Sequence, residues 1–114
     1  MKYITKYKSP NYNSRSKSKI KLIIIHYTAL RNTKEAITYL CTKEKKVSAH
    51  YLISQNGLIY NLVNEKFRAW HAGQSFWQDI VDINSFSIGI ELDYNPNGKN
   101  NKFSSKMISS LKKL

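Results

Sequence analysis

Three histidines and one glutamate are the residues of this sequence whose types and placement could combine to do chemistry. His26 closes the apolar run of "KLIIIHYTAL" from Lys21 to Leu30, His50 lies in "VSAHYLIS", His71 in "RAWHAGQSFW" and Glu91 in "FSIGIEL". Neutral imidazoles ligate metals and move protons near neutral pH. A carboxylate inside an apolar strand is costly to bury unless it is paired, metal-linked or functional. Each histidine taken alone also reads as a structural ring bonded to backbone, and Glu91 as a strand-end side chain facing water. Four such groups on apolar segments favour a shared site. Cys41 is the only cysteine, so neither an internal disulfide nor a Cys-based zinc cluster is available.

The elements that must position these groups follow from patterning. The β-branched run Ile20 to His26 is short enough for a buried strand, and near-continuous apolar strands belong to sheets covered on both faces. It is expected to be central. Asn32 or Thr33 can cap a helix through Lys34, Ala36, Ile37 and Leu40, with "TKEKK" as its polar exit. The segment "VSAHYLISQNGLIYNLV" alternates apolar and polar residues on both sides of Gln55-Asn56-Gly57, where Asn-Gly supplies the positive φ of a tight turn. This predicts antiparallel strands at about Ser48 to Ile53 and Leu58 to Val63. "FSIGIEL" predicts a further buried strand in which Gly89 permits close approach. Met107, Ile108 and Leu111 stand at helical spacing. The fold class is therefore α/β or α+β, a mixed sheet with helices.

At 114 residues the chain allows one domain, and its 41% hydrophobic content supplies a modest core. Its formal charge of +12 is unevenly spread. Met1 to Lys21 carries seven basic residues and no acid, Lys99 to Leu114 carries five and no acid, and the middle carries seven of each sign. Sixteen of the 19 basic residues are Lys, whereas base-edge and phosphate-fork recognition favours Arg, so no specific nucleic-acid partner is expected. Residues 1 to 20 combine Pro10 with Ser, Asn and Lys and read as a basic flexible arm. No run approaches the length of a membrane span and no apolar export segment is visible. A soluble protein of the cytoplasm or the cell envelope is the expectation.

The words themselves then carry a resemblance. "IIIHYTA" from Ile23 to Ala29, "VSAHYLIS" from Val47 to Ser54, "RAWHAG" from Arg68 to Gly73 and "SIGIEL" from Ser87 to Leu92 resemble, in this order, the zinc-dependent N-acetylmuramoyl-L-alanine amidases of the type 2 family, relatives of the peptidoglycan recognition proteins. The resemblance implies a mixed central sheet flanked by helices, with residues 21–114 as the N-terminal part of an amidase domain. It also implies hydrolysis of the amide between N-acetylmuramic acid and L-alanine of the stem peptide. His26 matches the first zinc ligand. Glu91 matches the residue that hands a proton to the leaving amine. Ala69 to Gly73 matches a substrate-contacting segment, with Trp70 for packing, His71 for polar contact, and Ala72 and Gly73 beside them. His50 matches a supporting or structural position near the groove.

The sequence departs from that pattern after the final helix. Relatives continue to a second histidine and an Asp or Cys ligand, whereas nothing after Asn95 here is His, Cys, Asp or Glu. By residue type alone, two of His50, His71, Asp93 and Glu91 could join His26. The expectation is instead a zinc site that lacks its remaining ligands, in a truncated or split amidase completed by a separate C-terminal polypeptide. The alternative is a zinc-free remnant that binds peptidoglycan or muropeptide without chemistry. A basic polyanion binder is a weaker third reading.

Overall fold

The computed structural model describes residues 2–15, 19–73, 78 and 80–114. Among the described residues seven strands and two α-helices follow one another: β1 Tyr3–Ile4, β2 Tyr12–Ser14, β3 Leu22–Tyr27, α1 Thr33–Leu40, β4 Tyr51–Ile53, β5 Ile59–Asn61, β6 Phe67–Ala69, β7 Ser87–Leu92 and α2 Ser105–Lys113. The main sheet has the order β1-β5-β4-β7-β3, and β2 pairs with β6 in a second, two-stranded sheet. It is mixed: β7 runs parallel to β3 and β4, and β4 and β5 form an antiparallel hairpin. This is the α/β architecture the patterning predicts.

Each local signal has a visible cause. Asn32 caps α1 by accepting the Glu35 N–H at 2.8 Å, and Arg31 pairs with the Glu35 carboxylate at 2.7 Å. Gly57 adopts φ 82° in the hairpin turn, which a residue with a Cβ resists. Ser104 caps α2 through the Met107 N–H at 3.1 Å. Met107 then closes one core cluster over Ile88, Ile90, Leu92, Tyr51, Ile53 and Ile59. On the opposite face α1 packs Ala36 and Leu40 against Leu52 and Leu62.

Three expectations are corrected. The first strand is not central. It lies at the end of the sheet order, and its neighbour β7, buried at every position, is an interior strand. The alternating face of β3 that lies beside Ile88, Ile90 and Leu92 is open, with Ile23 65%, Ile25 51% and Tyr27 54% exposed. A run of β-branched residues reports strand propensity, and it says nothing about how far the helices reach across the sheet.

Second, residues 2–15 of the expected flexible arm are not a free segment. β1 pairs with β5 and β2 with β6, while Ser9, Asn11 and Arg15 are buried. Their partners lie dozens of residues away, as in the Ser9 hydroxyl bond to the Leu40 carbonyl, so no local pattern announces them.

Third, the hairpin strands are shorter than the alternation suggests, at Tyr51–Ile53 and Ile59–Asn61. Ahead of Tyr51 the chain leaves the ladder, and the N–H of Ser48 bonds to the Trp70 carbonyl at 2.9 Å. Among the described residues, no helix is long and apolar enough to cross a membrane.

Candidate functional site

The parallel register of β3 and β7 sets His26 opposite Glu91, and β4 adds Leu52 to the same row. Register partners in a sheet point to one face, so imidazole and carboxylate stand side by side on the α1 face. Only eight residues long, α1 covers Leu52 and Leu62 but leaves the β3 end of that row open. His26 is accordingly half-buried, while Glu91 is 8% exposed.

Glu91 forms one wall of a cleft of about 90 Å³ with Tyr27, Thr28, Leu30, Tyr39, Leu40 and Val47. Among the described residues, no hydrogen bond or ion pair reaches its carboxylate. Burial without compensation favours the neutral acid and pushes the carboxyl up to about 7. A carboxyl balanced between its two forms near neutrality is suited to giving and taking protons.

His71 stands where the sequence does not suggest. Its ring is buried, and both ring nitrogens are engaged, Nδ1 with His26 Nε2 at 3.0 Å and Nε2 with the Ser87 hydroxyl at 2.9 Å. Its face lies on the backbone of Gly89, where an added Cβ would collide with the imidazole. Burial, then the neighbouring His26, His50 and arginines, lower its pKa to about 3. The substrate contact implied for His71 is thus not available to its ring nitrogens as they stand. The backbone beside it is clamped by Asn84, whose Oδ1 accepts from the N–H groups of His71 and Ala72 and whose Nδ2 donates to the Ala72 carbonyl.

Trp70, Ala72 and Gly73 of that segment reach the surface, whereas Ala69 is buried. Gly73 is exposed, and with Ala72, Arg68 and Asn84 it borders an open cleft of about 340 Å³. Trp70 is half-exposed and donates its indole N–H to Asn13 Oδ1 at 3.0 Å.

His50 is fully buried. Its Nδ1 accepts the Gly89 N–H at 3.0 Å, so Nε2 carries the proton and donates to the Phe67 carbonyl at 2.8 Å. The imidazole thereby replaces a backbone acceptor just where the β4–β7 ladder stops.

Arg15 is the residue that motif reading misses. It is 6% exposed, and its guanidinium donates to the carbonyls of Glu65, Phe67, Asn84, Ser85 and Ser87. Burial pulls its pKa below the usual arginine value. It ties the N-terminal segment to the stretch that carries Asn84 and Ser87. No periodicity or motif marks such a role, because every acceptor is a distant main-chain carbonyl.

The profile of the N-acetylmuramoyl-L-alanine amidase family Amidase_2 matches residues 16–114. The chain belongs to this family. It is 42% identical over 82 residues to the N-acetylmuramoyl-L-alanine amidase AmiD of Escherichia coli (strain K12), covering 66% of this chain and 29% of that protein. It is 52% identical over 50 residues to the 1,6-anhydro-N-acetylmuramyl-L-alanine amidase AmpD of Haemophilus influenzae, covering 44% and 27% of the two chains. Among solved structures, an AmpD derivative superposes with a TM-score of 0.82 at 25% identity, covering 96% of this chain and 69% of that one. AmiD of E. coli in complex with the substrate anhydro-N-acetylmuramic acid-L-Ala-D-gamma-Glu-L-Lys superposes with a TM-score of 0.70 at 33% identity, covering 93% and 44%. The chain therefore spans under a third of the length of these two curated amidases.

A family zinc can be tested against the donors at hand. A catalytic zinc takes typically three protein ligands and keeps one open position. His26 has one uncommitted ring nitrogen, whereas the ring nitrogens of His50 and His71 are spent on hydrogen bonds. Asp93 is held by the Thr33 hydroxyl at 2.7 Å and the Asn100 amide at 2.5 Å. Among the described residues, no three such side chains converge. They do not by themselves fit a zinc ion.

Proposed function

We propose that this chain supplies the His26 and Glu91 half of a peptidoglycan amidase site, cleaving the amide between N-acetylmuramic acid and L-alanine of the stem peptide. One observation carries the reading: His26 and Glu91 are register partners on adjacent parallel strands, at the uncovered end of the sheet. Hydrolysis of an amide needs a proton delivered to the departing amine, and Glu91, pushed up to about 7, is protonated often enough to deliver it. Its position beside a cleft lined by Tyr27, Tyr39 and Val47 shields that proton from bulk water. Trp70, Ala72 and Gly73 offer an adjacent surface for glycan or peptide. Zinc dependence follows the family, with His26 as the first ligand and the remaining ligands contributed by residues beyond those described, in a downstream segment or a separate polypeptide.

The test pairs this chain with such a segment, supplied by fusion or by mixing, and assays muropeptide cleavage. Activity is expected in the pair. Glu91→Gln keeps the shape of the side chain and removes its proton, so turnover should fall by roughly two to four orders of magnitude while zinc content is retained. Full activity in that variant would end the role given to Glu91.

A second reading is favoured by the way His50 and His71 are committed to internal hydrogen bonds. On it, the chain binds muropeptides without hydrolysing them. Saturable muropeptide binding by the chain alone, with no activity in any pairing, would select this reading.

A further inference from the structure

The hydrogen bonds running inward from His26 have a direction. Ser87 Oγ lies 2.8 Å from the Ile83 carbonyl, and since a carbonyl only accepts, the serine hydroxyl must spend its one proton there. Ser87 therefore meets His71 Nε2, 2.9 Å away, as an acceptor, which places a proton on that nitrogen. A neutral imidazole has one N–H, so His71 Nδ1 is a lone pair, and His26 Nε2 at 3.0 Å must donate to it. The lone pair left on His26 is then at Nδ1.

We propose that His71, polarised by Ser87 and the Ile83 carbonyl, is a positioning residue that fixes the tautomer and ring orientation of His26 and reserves Nδ1 as the nitrogen His26 presents to the groove. The inference rests on the amidase reading for its purpose and on the hydrogen-bond geometry for its content. It explains why the most deeply placed part of the "WHAG" segment is the imidazole.

The surroundings hold His71 as a rigid part. Gly89 gives its ring a flat seat that a side chain would fill. Asn84 Oδ1 takes the His71 N–H at 3.2 Å, and the Arg15 guanidinium holds the Ser87 carbonyl at 3.0 Å. A ring that only filled space would need none of these polar constraints. A partner imidazole whose bonds fix which nitrogen stays free does need them, because a metal or electrophile meets the lone pair of a single tautomer.

The experiment is nitrogen-detected NMR of the isotopically labelled chain near neutral pH, reading the tautomer of each ring and the through-hydrogen-bond coupling between ring nitrogens. Expected are His26 and His71 both as Nε2–H, with a coupling between His26 Nε2 and His71 Nδ1. In Ser87→Ala the buried His71 Nε2–H loses its acceptor. A buried N–H without a partner is costly, so the proton should move to Nδ1, donate to His26 Nε2 and drive His26 to the Nδ1–H form.

Inversion of both rings supports the proposal. Any other tautomer pair in the wild type, an absent coupling, or a folded Ser87→Ala variant that keeps the wild-type pair overturns it. If Ser87→Ala does not fold, the wild-type spectrum decides alone. No turnover is involved, so loss of the coupling refutes the relay and leaves the amidase reading standing. An inactive completed enzyme with the coupling intact refutes the amidase reading alone.

Discussion

The imidazole of His71 occupies the space in which a side chain at Gly89 would begin, so a residue of the "WHAG" segment and the glycine of "SIGIEL" share one volume. Two motifs that lie apart in the sequence are thereby a single packing unit. Substituting Gly89→Ala should displace the ring, break the His26 contact and cost about 1 to 3 kcal/mol through overpacking. The better strand and helix propensity of alanine over glycine, worth only about 0.5 to 1 kcal/mol, does not offset this. Chemical denaturation of the two proteins measures the difference, and equal stability would show that the ring is not seated there.

Arg15 anchors the N-terminal segment through five main-chain carbonyls. Removing it takes a donor from each, but the Phe67 carbonyl keeps the His50 N–H and Glu65 is exposed, so the cost falls on the buried carbonyls of Asn84 and Ser87, at about 1 to 3 kcal/mol for each that water cannot reach. Arg15→Ala should therefore cost about 2 to 6 kcal/mol, a large share of the roughly 5 to 15 kcal/mol of a whole domain. Arg15→Lys should rescue little, because an ammonium has three donors and no planar fork. A Lys variant with wild-type unfolding midpoint would contradict this account.

Glu91 makes stability depend on pH in a defined sense. The unfolded chain loses this proton near pH 4.5, the folded chain near 7. Between those values the folded state binds the additional proton, so the stabilisation is complete below pH 4.5 and is lost as pH rises through about 7. The loss amounts to about 3 kcal/mol. Glu91→Gln has no such proton to lose and should be more stable than wild type at pH 8 by about that amount, with the difference shrinking towards pH 4.5. The histidines titrate in both proteins and cancel in the comparison. Unfolding curves at both pH values provide the check, and a difference independent of pH would rule out uncompensated burial of Glu91.

The open face of β3 carries Ile23, Ile25 and Tyr27, each more than half exposed, on a strand paired on one side only among the described residues. Apolar, β-branched edges invite pairing with other chains. The chain should self-associate with rising concentration, and Ile23→Thr with Ile25→Thr should reduce this. The pair should leave stability within about 0.5 kcal/mol per site, the usual range for surface changes. Sedimentation velocity distinguishes the two, and a monomeric wild type at high concentration would sink the prediction.

Periodicity and short-range chemistry made much of the fold legible in the sequence: the Asn32 cap, the turn at Gly57, the strand through "SIGIEL" and the helix seeded by Met107 are each announced by a pattern within a few residues. The four ordered motifs pointed to the family for the same reason, since each is a local word. The tertiary structure alone decided the rest. β3 became an edge because, among the described residues, no strand pairs along its side away from β7. β1 and β2 formed because β5 and β6 offered free edges to pair. His71 turned inward because a glycine on β7 left room and Ser87 supplied an acceptor. Arg15 acquired its role from carbonyls contributed by two distant segments. Such features depend on which surfaces meet after folding, and neither spacing nor composition encodes them in any window of the chain.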